Sequence, residues 1–406
     1  MNTGALRLIT AALAWAVTAT ASMPVRAQSQ DVVIGVIDDM SGPLAALAGP
    51  GDVTSAEMAI ADFGGQVLGR KVSVVSGDHQ NKPDVGAALA TQWYDRGNVT
   101  MITGLGNSAV ALAVQGIARR LGKIDIVVGA STEELTRAQC SPLGAHWAND
   151  IYSLAEPVVD VLSRQGVKKW YFLVSDYAFG HASADAARDF IAERGGQILG
   201  TAFHPFGTPD YASYLLQAKS ASPEVMFLIN SGSDASNSIK QAKEFGLASG
   251  GTQLASISLD ISDVQAIGLD AAQGTYVTLP FYWDDNDATR DFSRRFMAAA
   301  KVVMPPTQAQ ASVYSAVLHY LKAVKAAGTT DGPAVMAKMR AIPVEDFMTH
   351  GALLRRDGRL LRENLLFKVK APAASKGRWD LLQLVERIPG DRAFRPEQGG
   401  GCPLGQ

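Results

Sequence analysis

Cysteine is nearly absent from this chain of 406 residues; only Cys140 and Cys402 occur. Histidine is sparse too. His79, His146, His181, His204, His319 and His350 are scattered without metal-like spacing, so no metal site is expected. There is no G-x-S-x-G elbow, no H-E-x-x-H and no G-x-x-x-x-G-K-[ST]. No catalytic constellation is left, and an enzyme is not expected. No tail of like charges and no basic stripe appears, which argues against nucleic acid as a partner. Beyond the N-terminus, no stretch is long and apolar enough to span a bilayer.

What is present is the composition of a globular protein, 47% hydrophobic and 19% charged. The length implies two domains. MNTGALR carries one positive charge, and LITAALAWAVTATA is an apolar run of signal-peptide length. Val25-Arg26-Ala27 offers small residues at the −3 and −1 positions of a cleavage site. Residues 1–27 are therefore read as a signal peptide, and the mature protein as periplasmic. Losing Arg7 and Arg26 takes the formal charge from −2 to −4. In an oxidising compartment two cysteines in loop-like contexts (QCSPLG and GCPLGQ) point to a Cys140–Cys402 disulfide. Two separate buried thiols are the alternative.

From Asp31 onward, short β-branched runs alternate with segments of helical period. VVIGVID, KVSVVSGD, VTMITG and IDIVVGA read as strands. SAEMAIADFGG, DVGAALATQWYDRG and SAVALAVQGIARRLG read as helices. After a connecting HWAND, a second series of similar size starts at VVDVLSRQG and runs to QLASIS. The expected fold is α/β: two doubly wound parallel-sheet lobes joined by several hinge strands, with a ligand cleft between them. TYVTLPFYW crosses back. Three helices without intervening strands then complete the first lobe, and HGALLRRDGRLLRENLLFKVK forms a hairpin around Asp357-Gly358. The divisions are 28–149 for the first part of lobe one and 150–278 for the first part of lobe two. Residues 279–348 return to lobe one, and 349–406 complete lobe two and form a polar tail.

The stretch Gly104–Ala109, GLGNSA, fits the loose dinucleotide fingerprint G-x-G-x-x-A. It sits at the third strand rather than the first, and Asp125 lies near the start of the next strand rather than at its end. A nicotinamide cofactor is therefore disfavoured, and no cofactor is expected. A helix N-terminus after a Gly-rich turn suits one carboxylate as well as a phosphate. Ser131 and Glu134 fit a capping box, with Ser131 as the N-cap. The acidic pair Asp38-Asp39 reads as a solvated loop pair.

The ordered set DVVIGVIDDMSGPLAALAGPG, GDHQNKPDVGAALA, GLGNSAVALA, GASTEELT and WYFLVSDYAFGHA resembles the periplasmic solute-binding proteins of ABC importers, of the leucine/isoleucine/valine-binding type. The resemblance implies that Asn107, Ser108, Ala130, Ser131 and Thr132 hold a ligand carboxylate. It implies that Tyr177 or Phe179 packs on the ligand from the second lobe. An acid usually takes the amino-acid ammonium after the strand matching QLASIS. Here Ser258 occupies that place, with Asp260 two residues on, so an α-ammonium is not required. Tyr282 completes an aromatic wall. The implied partners are a small carboxylate-bearing solute and a membrane permease, with the protein a monomer. An exported sensor module of the same fold is the rival reading, and a NAD-type enzyme a weaker one.

Overall fold

The computed structural model describes Met1 and residues 31–247, 250–397 and 401–405. The expected signal peptide, apart from Met1, lies outside the described residues. From Asp31 the chain forms one compact unit built on two large sheets. The first has the order Gln66–Val67, Arg70–Asp78, Val32–Asp38, Val99–Gly104, Ile124–Val127, Gly144–His146. Its neighbours are parallel except for the short strand Gln66–Val67. The second has the order Leu382–Ile388, Asn364–Val369, Tyr276–Leu279, Gln253–Ser256, Val225–Ile229, Lys169–Ser175, Gln197–His204. The first two strands in that order are antiparallel additions to a parallel sheet.

The central strands are buried almost end to end, as in VVIGVID and VMFLI. That is the pattern of parallel strands covered by helices on both faces. The helices Asp287–Ala300, Gln308–Ala327 and Gly332–Ala341 return to the first lobe. Phe292, Phe296, Val317 and Met336 share one core with Val32 and Ile34. The hairpin His350–Leu354 with Leu360–Leu361 forms as expected. It corrects the division at residue 349, however, because Ala352, Leu354 and Leu360 also join the first-lobe core. The pattern of an apolar hairpin does not say which core receives it. The second lobe is rejoined only at Asn364–Val369.

One helix starts earlier than its sequence suggests. VVDVLSRQG is the second half of Ile151–Arg164, whose first turn is capped by the Asp150 carboxylate accepting from Ser153 N–H at 2.9 Å. Pro157 lies inside this helix. It has no N–H to give the Ser153 carbonyl four residues earlier. That carbonyl is met instead by Asn364 Nδ2 at 3.1 Å.

Among the described residues the chain crosses between the lobes at residues 147–150, 280–286 and 362–363. The crossings are tied together. Asn149 Nδ2 donates to Asn364 Oδ1 at 2.9 Å, and Arg362 donates to the Trp147 carbonyl at 2.8 Å. Arg387 joins Glu363, at 2.7 Å, to Asp285. Fully buried Arg359 donates to the carbonyls of His146 and Ala148 and pairs with Asp150 at 3.2 Å. Burial, and then the Arg359 charge, hold His146 well below its ordinary pKa. The neutral ring donates from Nε2 to the Ala130 carbonyl at 2.7 Å and turns Nδ1 to Arg359. Cys140 and Cys402 form a disulfide, with Cα atoms 5.7 Å apart.

Candidate functional site

Three loops at the C-terminal ends of the first-lobe strands face the second lobe. The first begins at Asp38-Asp39. These residues are fully buried, not solvated. Asp39 accepts from the Gly42 and Leu44 N–H groups at 2.7 and 2.9 Å and from Asn81 Nδ2 at 2.6 Å. It thereby shapes the Ser41-Gly42-Pro43 turn. Asp38 accepts from Gly106 N–H at 3.1 Å, and His79 Nε2 lies 3.8 Å away. Burial raises the pKa of both Asp38 and its neighbour Asp52, and Asp38 itself pushes Asp52 further up. Of the two, Asp52 is the one pushed further toward its neutral form.

The Gly-rich turn follows from these neighbours. A Cβ on Gly104 would lie 2.5 Å from Asp38 Oδ2, and one on Gly129 only 2.7 Å from Gly106 Cα. The glycines seat a carboxylate and let two loops cross backbone to backbone; a pyrophosphate is not needed to explain them. Asn107 caps the helix Ser108–Leu121, its Oδ1 accepting from the Ala109 and Val110 N–H groups at 3.0 and 3.3 Å. Ser108 is buried behind it. In the third loop the cap is one residue later than expected. Thr132, not Ser131, accepts from Glu134 N–H, and the turn Glu133–Thr136 is a 3₁₀ helix. Ala130 is buried, and Ser131 is left half-exposed.

On the second lobe, Tyr177 packs on Phe206 and Phe179 with ring centres 4.9 and 5.8 Å apart. Its hydroxyl bonds Ser231, and burial raises its pKa. Phe179 belongs to the lobe-two core. Asp260 is an N-cap whose two oxygens are engaged. Oδ1 accepts from Ile261 N–H at 2.6 Å, and Oδ2 from Gln308 N–H of the first lobe at 3.1 Å. Burial raises Asp260 to about 6, against the lowering effect of those two bonds. Tyr282 is turned into the lobe-two core. Its hydroxyl donates to the Trp379 carbonyl at 3.0 Å and accepts from the Leu381 and Leu382 N–H groups.

A narrow cavity of about 20 Å³, room for about one water molecule, lies where the lobes meet. Leu47, Val128, Gly129, Ser131, Gln308 and Ala309 form its lobe-one wall. Ala148 and Asn149 come from the first crossing, and Leu154 and Ser258 from lobe two. Of the residues expected from the sequence, Ser131 and Ser258 are brought together here. Asn107, Ser108, Ala130, Thr132, Tyr177, Phe179, Asp260 and Tyr282 are not in this wall. Sequence reasoning missed Asn149 and Gln308. HWAND was legible as a crossing, and Thr307-x-x-Gln310 is a capping-box signature that places Gln308 at a helix start. Across the cleft mouth, Ser233 N–H donates to the Pro43 carbonyl at 3.3 Å. The lobes are thus in contact through Pro43–Ser233 and Asp260–Gln308.

Two parallel-sheet lobes hinged by three crossings, with a cavity walled by both, define a two-lobed α/β binding architecture. A family profile described as "Periplasmic binding protein" matches residues 31–378. The chain belongs to that family, one of solute-binding proteins rather than enzymes. A periplasmic binding protein from Burkholderia mallei is 40% identical, with a TM-score of 0.90 over 93% of this chain and 100% of that one. A branched-chain amino acid ABC transporter periplasmic ligand-binding protein from Burkholderia xenovorans is 36% identical, with a TM-score of 0.82 over the same shares. Leu/Ile/Val-binding protein homolog 6 of Brucella abortus is 28% identical over 255 residues, 62% of this chain. That match spans 65% of the length of the Brucella protein.

Proposed function

We propose that the chain is the extracytoplasmic solute-binding component of an ABC importer, exported by residues 1–27, and that it captures a small carboxylate-bearing solute by lobe closure. The observation that carries this reading is the shared cavity. Ser131 sits on the lobe-one loop before a helical turn, and Ser258 faces it from lobe two. A ligand touching both walls stabilises the closed form, which a permease can distinguish from the open one. Ser131 supplies the carboxylate contact at the cavity wall, and Asn107, Ser108, Ala130 and Thr132 build the loops around it. The solute classes in this reading are branched-chain amino acid-like solutes and aromatic or short-chain acids or amides, which lobe opening would have to admit. The Burkholderia xenovorans relative supports the importer role through what its own name describes.

A thermal-shift screen of small carboxylates against their methyl esters tests this. A cognate acid at 100 times its Kd adds about 2.7 kcal/mol to native stability, and its ester adds much less. Ser131→Ala is expected to weaken the acid by about 10- to 150-fold, the equivalent of one hydrogen bond to a charged group. Esters that bind as well as their acids would refute the carboxylate reading.

A further inference from the structure

The hinge side of the cavity holds an amide with an unused acceptor. Asn149 is 3% exposed and forms part of the cavity wall. Its Nδ2 is committed to Asn364 Oδ1. Its Oδ1 is buried and has no hydrogen-bond partner among the described residues.

Which end of the amide is left over is decided several residues away. The Ser153 carbonyl, freed by Pro157, accepts from Asn364 Nδ2 at 3.1 Å. Asn364 must therefore present its NH2 group there and its oxygen on the other side. That oxygen also accepts from Leu365 N–H at 3.3 Å. Asn149 in turn must offer its NH2 to that oxygen. Flipping either amide would set donor against donor or acceptor against acceptor. The spare atom of Asn149 is thus an acceptor, held in one orientation by the main chain.

We propose that Asn149 Oδ1 receives a hydrogen bond from the bound solute, and that the solute is a small monocarboxylate that also bears a neutral donor, a hydroxyl group. This rests on the carboxylate reading above. A buried acceptor is matched by a donor in the functional state. The donor is neutral because, among the described residues, no Asp or Glu lines the cavity. Nearby Asp260 has both oxygens engaged, by Ile261 and Gln308. An ammonium would enter a site with no anionic partner, which burial disfavours strongly. Beside Ser131, Ser258 and Gln308, the wall carries the apolar side chains of Leu47, Val128, Leu154 and Ala309, which suit a hydrocarbon body. An analogue without the hydroxyl fills the same space but leaves Oδ1 buried and unpaired, the arrangement that gives large discrimination.

The test is calorimetry on the full mature protein with matched sets of acids. One set is benzoate with 3- and 4-hydroxybenzoate, and another is phenylacetate with 4-hydroxyphenylacetate. A third is 4-methylpentanoate with its 2-hydroxy derivative and with leucine. In at least one set the hydroxylated acid should bind tenfold or more tightly than the plain acid. In Asn149→Leu that advantage should fall below threefold, read as the ratio of the two affinities in the same variant. The wild-type comparison needs no variant, so a misfolded Asn149→Leu protein leaves the test standing. Equal affinity for plain and hydroxylated acids in every set overturns the inference and leaves the carboxylate reading intact. Tightest binding of leucine, with loss on removing its ammonium, also overturns it. Binding of none of these acids overturns both readings.

Discussion

Asp125 is fully buried at the start of a central strand, and neither carboxylate oxygen has a hydrogen-bond partner among the described residues. Burial raises its pKa to about 8. The fold therefore holds the protonated form, while the unfolded chain ionises at about pH 4. Between these values unfolding releases a proton, so wild-type stability falls as pH rises from 4 to 8. Asparagine has nearly the same shape and does not titrate. Asp125→Asn is expected to match wild type below pH 4, to gain on it by up to about 1.4 kcal/mol per pH unit from pH 4 to about 8, and to hold that gap above. Melting curves at several pH values decide this; a gap that does not widen with pH would contradict it. The residue is visible in the sequence as KIDIVVG, but its burial is not.

The helix Ser108–Leu121 shows what one cap contributes to an element. Asn107 satisfies two of its free N–H groups, so Asn107→Ala should cost about 1 kcal/mol in urea unfolding of the unliganded protein. A change within error would mean that water replaces the cap without loss. At this scale most of the fold was legible. Strand and helix periods do not depend on distant contacts, and the parallel sheets follow from them. Of the site residues that the resemblance implied, Ser131 and Ser258 line the candidate cavity because both follow strand ends that face it. The buried state of Asp38 and Asp39 was not legible, because it depends on Gly106 and Asn81 arriving from other loops. The orientation of Asn149 was not either, because it passes through Asn364, more than 200 residues away. The hairpin at 350–361 was legible as a hairpin but not as part of lobe one.

For the whole molecule, the disulfide is a fourth tie between the lobes. Leu382–Ile388 belongs to the second sheet, and Phe394 to a lobe-two core. Cys402 then bonds to Cys140 beside the third lobe-one loop. Arg395 reaches Glu133 of that loop at 2.9 Å, and Arg355 donates to the Arg395 carbonyl at 2.7 Å. The bond spans 262 residues of sequence. In the chain-entropy model it adds about 5 kcal/mol as an upper bound. Replacing both cysteines with serine is expected to cost about 2–5 kcal/mol in chemical unfolding, with solute affinity within a few-fold of wild type. Loss of binding in a variant that still folds would show that the tie shapes the cleft.

The three crossings have a mechanical consequence. Asn149–Asn364, Arg362–Trp147 and Glu363–Arg387–Asp285 bind them side by side, and shear or independent swivel of the lobes would have to break these bonds. Opening that keeps them intact follows one angle, like that of a book's covers about its spine. Under the proposed function, occupancy of the cleft would then be expressed as one geometric coordinate, legible from outside as the spacing between two surfaces. A partner that grips both covers at once can tell full from empty without touching the cargo.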